Sequence, residues 1–210
     1  MNISTKICAG VASLALAFSV NAFAQGRGGM GGMPQDQHPQ QPGWQTDQQT
    51  QQQVNQDQAQ MSQERDKKFL ADAAEGGLAE VEFGKLATEK AGSDEVRQFG
   101  QRMVDDHSKA NDQLKQVAGQ VGVPIPNGLS AKDEAEKEHL SQLSGAQFDA
   151  AYMKSMVKDH KKDVSEFQHE ANSGHDDNIK NFASSTLPTL QEHLKMAEQI
   201  NSKRSKTGGE

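Results

Sequence analysis

From about Ser62 to Ser202 the chain repeats apolar residues at helical spacing and offers little else from which to build a core. β-Branched residues are sparse and no run alternates apolar with polar, so no strand is expected there. Four long helices follow from the stripes. The first covers about 62–91, with Phe69, Leu70, Ala73, Ala74, Gly77, Val81, Gly84 and Ala87 facing inward. The second covers 94–121, with Val96, Phe99, Met103, His107, Ala110, Leu114, Val117 and Val121 inward. The third covers 146–172, with Phe148, Tyr152, Met156, His160, Val164, Phe167 and Ala171 inward. The last covers 176–202, with Ile179, Phe182, Ala183, Leu190, Leu194, Ala197 and Ile200 inward. Pro188 removes one hydrogen bond from that helix and predicts a kink.

Gly92-Ser93-Asp94 and Ser173-Gly174 are tight stops, so the four helices pair as two antiparallel hairpins. Between the hairpins, Pro124 and Pro126 hold the chain extended, and Ala131–Leu143 has room for a short helix. Such a connector can run the length of the bundle. The expected fold is therefore all-α: a ferritin-like four-helix bundle with a long crossover containing a short extra helix.

The remaining segments do not read as core. Residues 1–24 have a positive start at Lys6, an apolar run from Ile7 to Val20 and the small-x-small pattern Ala22-Phe23-Ala24, which together predict a signal peptide cleaved after Ala24. The run is too short to span a bilayer. Export points to a periplasmic or secreted protein with no transmembrane segment after cleavage. The chain's one cysteine, Cys8, lies in the signal segment, so the mature protein has neither disulfides nor thiolate metal sites. Loss of Lys6 lowers Lys+Arg from 22 to 21 against 29 Asp+Glu, moving the net charge from −7 to −8. An acidic chain without a basic stripe is a poor partner for nucleic acid or an anionic membrane. Fifteen of the 39 residues from Gln25 to Gln63 are Gln, with few apolar residues among them, so 25–61 is expected to be a disordered tether. The bundle then occupies 62–203, followed by a disordered tail at 204–210.

One polar feature recurs inside the apolar stripes. Met103-Val104-Asp105-Asp106-His107 returns as Met156-Val157-Lys158-Asp159-His160, and in both copies the His faces the core. The crossover makes the second and third long helices parallel. His107 lies 13 residues into its helix and His160 lies 14 into its own, so at 1.5 Å per residue they reach the same height. Glu80 and His193, counted from their joints, reach nearly the same layer. Glu80 is flanked by Gly76, Gly77, Gly84, Ala73 and Ala87, small residues that let another helix come close. Glu75, Glu82 and Glu89 repeat every seven residues on a solvated face.

Met103 and Met156 each precede a layer histidine by four residues, and Met196 follows His193 by three, so each pair shares a helix face. Imidazole with thioether suits Cu(I); imidazole with carboxylate suits Zn, Cu(II) or Fe. Glu80, His107, His160, His193, Met103, Met156 and Met196 are thus the candidate metal ligands, with copper or zinc as the candidate ion. The same residues also fit a non-metal reading: a satisfied polar core inside a structural or protein-interaction bundle of the cell envelope. A ferritin-type diiron site is not supported, because Val104, Val157 and Leu190 stand three residues before the layer histidines where that site needs Glu. Glu136/His139 and Glu166/His169 have the spacing but fall off the stripes. No nucleophile triad or phosphate loop can be assembled, so an enzyme is not expected.

The runs Phe69-Leu-Ala-Asp-Ala-Ala-Glu-Gly-Gly-Leu-Ala-Glu80, Met103-Val-Asp-Asp-His107, Phe148-Asp-Ala-Ala-Tyr152-Met-Lys-Ser-Met156-Val-Lys-Asp-His160 and Leu187-Pro188-Thr-Leu-Gln-Glu-His193 together resemble the bacterial exported family called domain of unknown function 4142. The resemblance covers about 65–200 and leaves Gln25–Gln63 outside. It implies a ferritin-like bundle, exported or associated with the outer membrane, with no established activity, and recurrent polar positions at Glu80, His107, His160 and His193. The Tyr152-Met-x-x-Met156-x-x-x-His160 run also resembles the related 305 family, whose Met/His helices suggest copper. That family often doubles the histidine, where this chain has Asp159-His160.

Overall fold

The structure is a computed structural model that describes residues 43–207. The expected signal segment at 1–24, the tract from 25 to 42 and residues 208–210 lie outside the described residues. Five helices follow in order: α1 (Gly43–Lys90), α2 (Asp94–Val121), α3 (Ala131–Ser141), α4 (Gly145–Ser173) and α5 (Asp177–Thr207). α1 packs along α2 and α4 along α5, while α1 also meets α4 and α2 meets α5. α3, in the crossover, lies against α1 and α4. The expected two hairpins joined by one long crossover are the arrangement found.

Local chemistry sets the joints. Ser93 caps α2 by accepting the Val96 N–H at 3.3 Å, and Asp94 and Glu95 place negative charge in its first turn. Gly122 closes α2 in the left-handed region at φ 70°, donating its N–H to Ala118. Ser130 caps α3 through the Asp133 N–H at 3.2 Å. At the top of the bundle Ala91 bridges Gly145, and a Cβ on Gly92 would lie 2.8 Å from the Gly145 backbone, so the two hairpins touch there main chain to main chain.

Two buried aspartates fasten the hairpins to each other. Asp149 on α4 accepts the N–H groups of Gly92 (2.8 Å) and Ser93 (3.0 Å) at the α1–α2 joint. At the other end Asp66 on α1 accepts the N–H groups of His175 (3.0 Å) and Asp176 (2.7 Å) at the α4–α5 joint. Each hairpin thus supplies the carboxylate that satisfies the other's turn. Arg204 joins the upper clamp, reaching Asp149 at 3.1 Å and the Ala146 carbonyl at 3.0 Å.

The boundaries differ from expectation at both ends. α1 begins at Gly43, so 43–61 of the expected tether is helical. Gln is a good helix former, Pro42 stands just before the start, and neither Gly nor Pro interrupts 44–75. From 48 to 58 every residue is exposed, so propensity rather than packing holds that stretch. α5 runs to Thr207 rather than 202, because Arg204 is tied into the clamp, and it continues without a break through Pro188.

The core has two apolar clusters. One gathers Phe83, Phe99, Met103, Phe148, Tyr152, Met153 and Met156, and the other Phe69, Leu70, Leu114, Phe167, Ile179 and Leu190. Val81 is only partly covered, whereas Ala79 and Phe83 are buried.

Asp149→Ala should lower stability by about 2 kcal/mol, because it orphans two turn N–H groups, while Glu89→Ala on the exposed face should stay within about 0.5 kcal/mol. Urea denaturation measures both. A chain beginning at Ser62 should unfold within about 0.5 kcal/mol of the longer one, since 48–58 packs against nothing.

Candidate metal centre

Between the two apolar clusters lies a single polar layer. Glu80 from α1, His107 from α2, His160 from α4 and His193 from α5 all meet there, with exposures of 3%, 4%, 0% and 0%. The three imidazole centroids are 5.3–5.6 Å apart. One ring nitrogen from each histidine lies within 4.8 Å of the other two. Phe99 covers the layer on one side, 6.4 Å from His160 and 6.5 Å from His193 between centroids.

Each ring is held through one nitrogen. His107 Nδ1 lies 3.0 Å from Glu80 Oε2. His193 Nε2 lies 3.0 Å from Asp106 Oδ2. His160 Nδ1 lies 3.0 Å from the Met156 carbonyl, an acceptor that requires this nitrogen to carry the proton. Given carboxylate or carbonyl partners, each held nitrogen is the donor, which fixes the tautomer and leaves the opposite lone pair bare. His107 Nε2, His160 Nε2 and His193 Nδ1 are buried with no hydrogen-bond partner. Glu80 Oε1 is 3.2 Å from His160 Nδ1 but accepts no hydrogen bond, because that proton is directed to Met156.

Burial keeps the rings neutral. Desolvation lowers the His107 pKa to about 4, although Asp163 and Asp106 pull the other way. Desolvation, with the neighbouring histidines adding to it, takes His193 to about 3 against the opposing effect of its hydrogen bond to Asp106. His160 is lowered by the same burial, partly offset by Glu80. For the acids, burial raises Glu80, against the pull of His160. Burial also raises Asp106, but its hydrogen bonds with His193 and Arg102 outweigh that effect and hold it below the usual carboxylate range. Arg102 extends this chain to the surface, where it meets Glu192 at 2.8 Å.

Met103 and Met156 are fully buried in the Phe99 cluster. Met196 is partly buried, with its sulfur 3.5 Å from Arg102 Nη1. His139 and His169 are exposed, as their positions off the stripe imply.

Two residues of the centre escape the stripe analysis. Asp106 directly precedes His107 and reaches a different helix to hold His193. Asp163 faces Glu80, and burial together with the Glu80 charge holds its carboxyl well above the usual range. Its signal was a register: the spacing that relates Asp66 to Asp149 and Gly92 to His175 also relates Glu80 to Asp163. Tyr152 has a fully buried hydroxyl with no partner, raised well above its ordinary pKa by burial and by Glu80. Gly77 and Gly84 explain how the layer closes: a Cβ on Gly77 would meet Asn111 Oδ1 at 2.2 Å, and one on Gly84 would meet the Gly100 carbonyl at 2.7 Å.

A family model described as Domain of unknown function (DUF4142) matches residues 49–200, taking in part of the Gln-rich tract that the resemblance had left out. No curated protein matches the chain. Two solved structures share the bundle. A DUF305 fragment from Deinococcus radiodurans is 15% identical with a TM-score of 0.58, covering 66% of this chain and 96% of that one. A DUF305 protein from Streptomyces coelicolor is also 15% identical at 0.58, covering 67% and 94%. At that identity the likeness shows the fold alone. Among the described residues no helix is long and apolar enough to cross a membrane.

The depressed histidines have a signed consequence. Below the unfolded value of about 6.5 the unfolded chain takes up protons that the folded rings refuse, so stability is lost as pH falls. For His107 the window runs from about 6.5 down to about 4. His107→Gln should flatten the slope of stability against pH across that window by about 1 kcal/mol per pH unit, read from urea denaturation at each pH.

Proposed function

The chain belongs to the family of Domain of unknown function (DUF4142), whose description names no activity, and we propose that it is an exported transition-metal-binding bundle of the cell envelope. The observation that carries this reading is the set of three bare nitrogens. His107 Nε2, His160 Nε2 and His193 Nδ1 are buried and neutral, and each belongs to a ring already fixed through its other nitrogen. Metal-bound histidines are held in this way, the second nitrogen donating to a carboxylate or carbonyl. An unpartnered buried acceptor costs about 1–3 kcal/mol, so three together are a poor choice for a purely structural core.

In this reading His107, His160 and His193 are the ligands, and Glu80 and Asp106 orient them. Three imidazoles suit zinc or copper. Met103 and Met156, each four residues before a layer histidine and buried in the Phe99 cluster, are soft donors that would favour Cu(I). The competing occupant is water. A cavity of about 20 Å³, walled in part by Glu80, His107, Asn111 and Asp163, adjoins the His107 ring and has room for about one molecule. A water there would give the structural reading its satisfied polar core.

Metal analysis of untagged protein recovered from the cell envelope, followed by titration with Zn²⁺ and Cu⁺, separates the two. Saturating metal should raise the melting temperature of the unmutated protein. His107→Ala and His160→Ala should each lose most of the affinity, while His139→Ala and His169→Ala change little. Asp106→Asn should weaken binding about 10–100-fold, because it leaves the His193 ring unfixed. Met156→Leu should weaken Cu⁺ more than Zn²⁺. An unchanged melting temperature with no metal bound at equilibrium would leave the water-filled core.

A further inference from the structure

The three layer histidines are buried between the two apolar clusters, so an ion would need a path to them. A groove of about 280 Å³ runs along the surface where α1 and α4 meet beneath the start of α3. Its inner wall is made by Gly76, Glu80 and Asp163, and the same three residues line the 20 Å³ cavity that has His107 in its wall. The surface groove and the interior cavity therefore share one partition, and that partition is a pair of carboxyl groups.

The groove's charges suit a cation. Glu75 and Asp159 flank the approach to Glu80 and Asp163. The three lysines along it are engaged with other acids: Lys68 with Asp72, Lys132 with Asp133 at 3.7 Å, and Lys162 with Glu166 at 2.8 Å. The acidic lining is not the whole argument. Glu80 is 3% exposed, and its Oε1 has no hydrogen-bond partner, so a buried oxygen with free lone pairs stands at the inner end of the groove. Gly76 provides the clearance, since a Cβ built there meets nothing within 4 Å.

We infer that this groove is the loading path for a divalent cation, with the Glu80–Asp163 pair as a transient oxygen site that passes the ion to the histidines. The inference rests on the metal-binding reading above. Carboxylate oxygens take a hydrated ion readily and release it, whereas imidazole nitrogens hold a borderline ion such as Zn²⁺ or Co²⁺ more tightly. A short row of carboxylates ending at three imidazoles therefore carries the ion towards the stronger site.

The test follows loading and removal separately, on the full chain. Co²⁺ is mixed rapidly with the protein, and its visible absorption reports entry into the histidine site; a chelator then extracts it. Gly76→Leu fills the groove from a position with open space, so entry and extraction should slow by the same factor while the dissociation constant stays unchanged. The double variant Glu75→Gln/Asp159→Asn, in which no ligand is touched, should slow entry about ten-fold and remove most of its dependence on ionic strength. Circular dichroism confirms that both variants are folded, and the charge variant carries the test if Gly76→Leu is not. Unchanged entry rates in both, with Co²⁺ still bound, would overturn the loading path and leave the centre intact. Failure of the unmutated protein to bind Co²⁺ or Zn²⁺ while still binding Cu⁺ would overturn the divalent loading path alone, and failure to bind any of the three would overturn both readings.

Discussion

The register between the two hairpins is the constraint on which the rest of the molecule depends, and Asp66 and Asp149 set it. Each carboxylate sits on one hairpin and accepts the turn N–H groups of the other, at opposite ends of the bundle. Apolar stripes alone tolerate sliding, because a Leu moved by a turn still finds apolar neighbours. A turn of helix is about 5.4 Å, and a slip of that size would separate rings whose centroids now lie 5.3–5.6 Å apart. The end clamps therefore fix what the middle layer needs, and they act at a distance from it, so the layer's own residues are free to leave nitrogens unpaired.

Much of this was legible in the chain because helix counting is a strong constraint. Periodicity located the four long helices, with both ends of α2 and α4 and the end of α1 within a residue or so, and counting from the joints put Glu80, His107, His160 and His193 at one height. Two kinds of fact were hidden. Burial extends beyond a single stripe where a helix has several neighbours: α1 meets α2, α3 and α4, which covers Phe83 and Ala79 as well as the assigned face. Partnerships between helices are hidden too. Asp106 looks like a surface acid beside His107, and only the approach of α5 makes it the holder of His193. The start of α1 was hidden for a different reason. Composition shows that 43–61 cannot build a core, but that does not prevent a Gln-rich stretch free of Gly and Pro from continuing a helix already nucleated by packing.

The layer is a local weakness placed where the structure is otherwise firm. Above it Phe99, Tyr152 and Phe148 stack into one cluster, with Phe148 and Tyr152 at 5.5 Å and 20° between planes. Below it Phe69 and Phe167 meet edge to face at 4.9 Å. Between them one carboxylate oxygen, three imidazole nitrogens and the Tyr152 hydroxyl have no partner. Apolar side chains in those positions would pack without that cost. The arrangement is more economical if something enters the layer, and the rigid clusters on both sides then let the site fill without the helices being rebuilt.

The bundle architecture and the chemistry it holds separate cleanly here. The DUF305 structures share the helices at 15% identity, so the scaffold alone assigns neither a metal nor a role. Ferritin-like bundles that handle iron pair each histidine with a glutamate three residues earlier, and this chain has Val104, Val157 and Leu190 in those places. Its carboxylates come from elsewhere: Glu80 crosses from α1 to His107, Asp106 crosses from α2 to His193, and Asp163 lies opposite Glu80 at the end of the groove. None of these acids stands three residues before a layer histidine, and Glu80 and Asp106 each hold a ring on a helix other than their own. In the proposed metal-binding reading, three bare imidazole nitrogens would favour zinc or copper over the harder ions that an oxygen-rich bundle would retain.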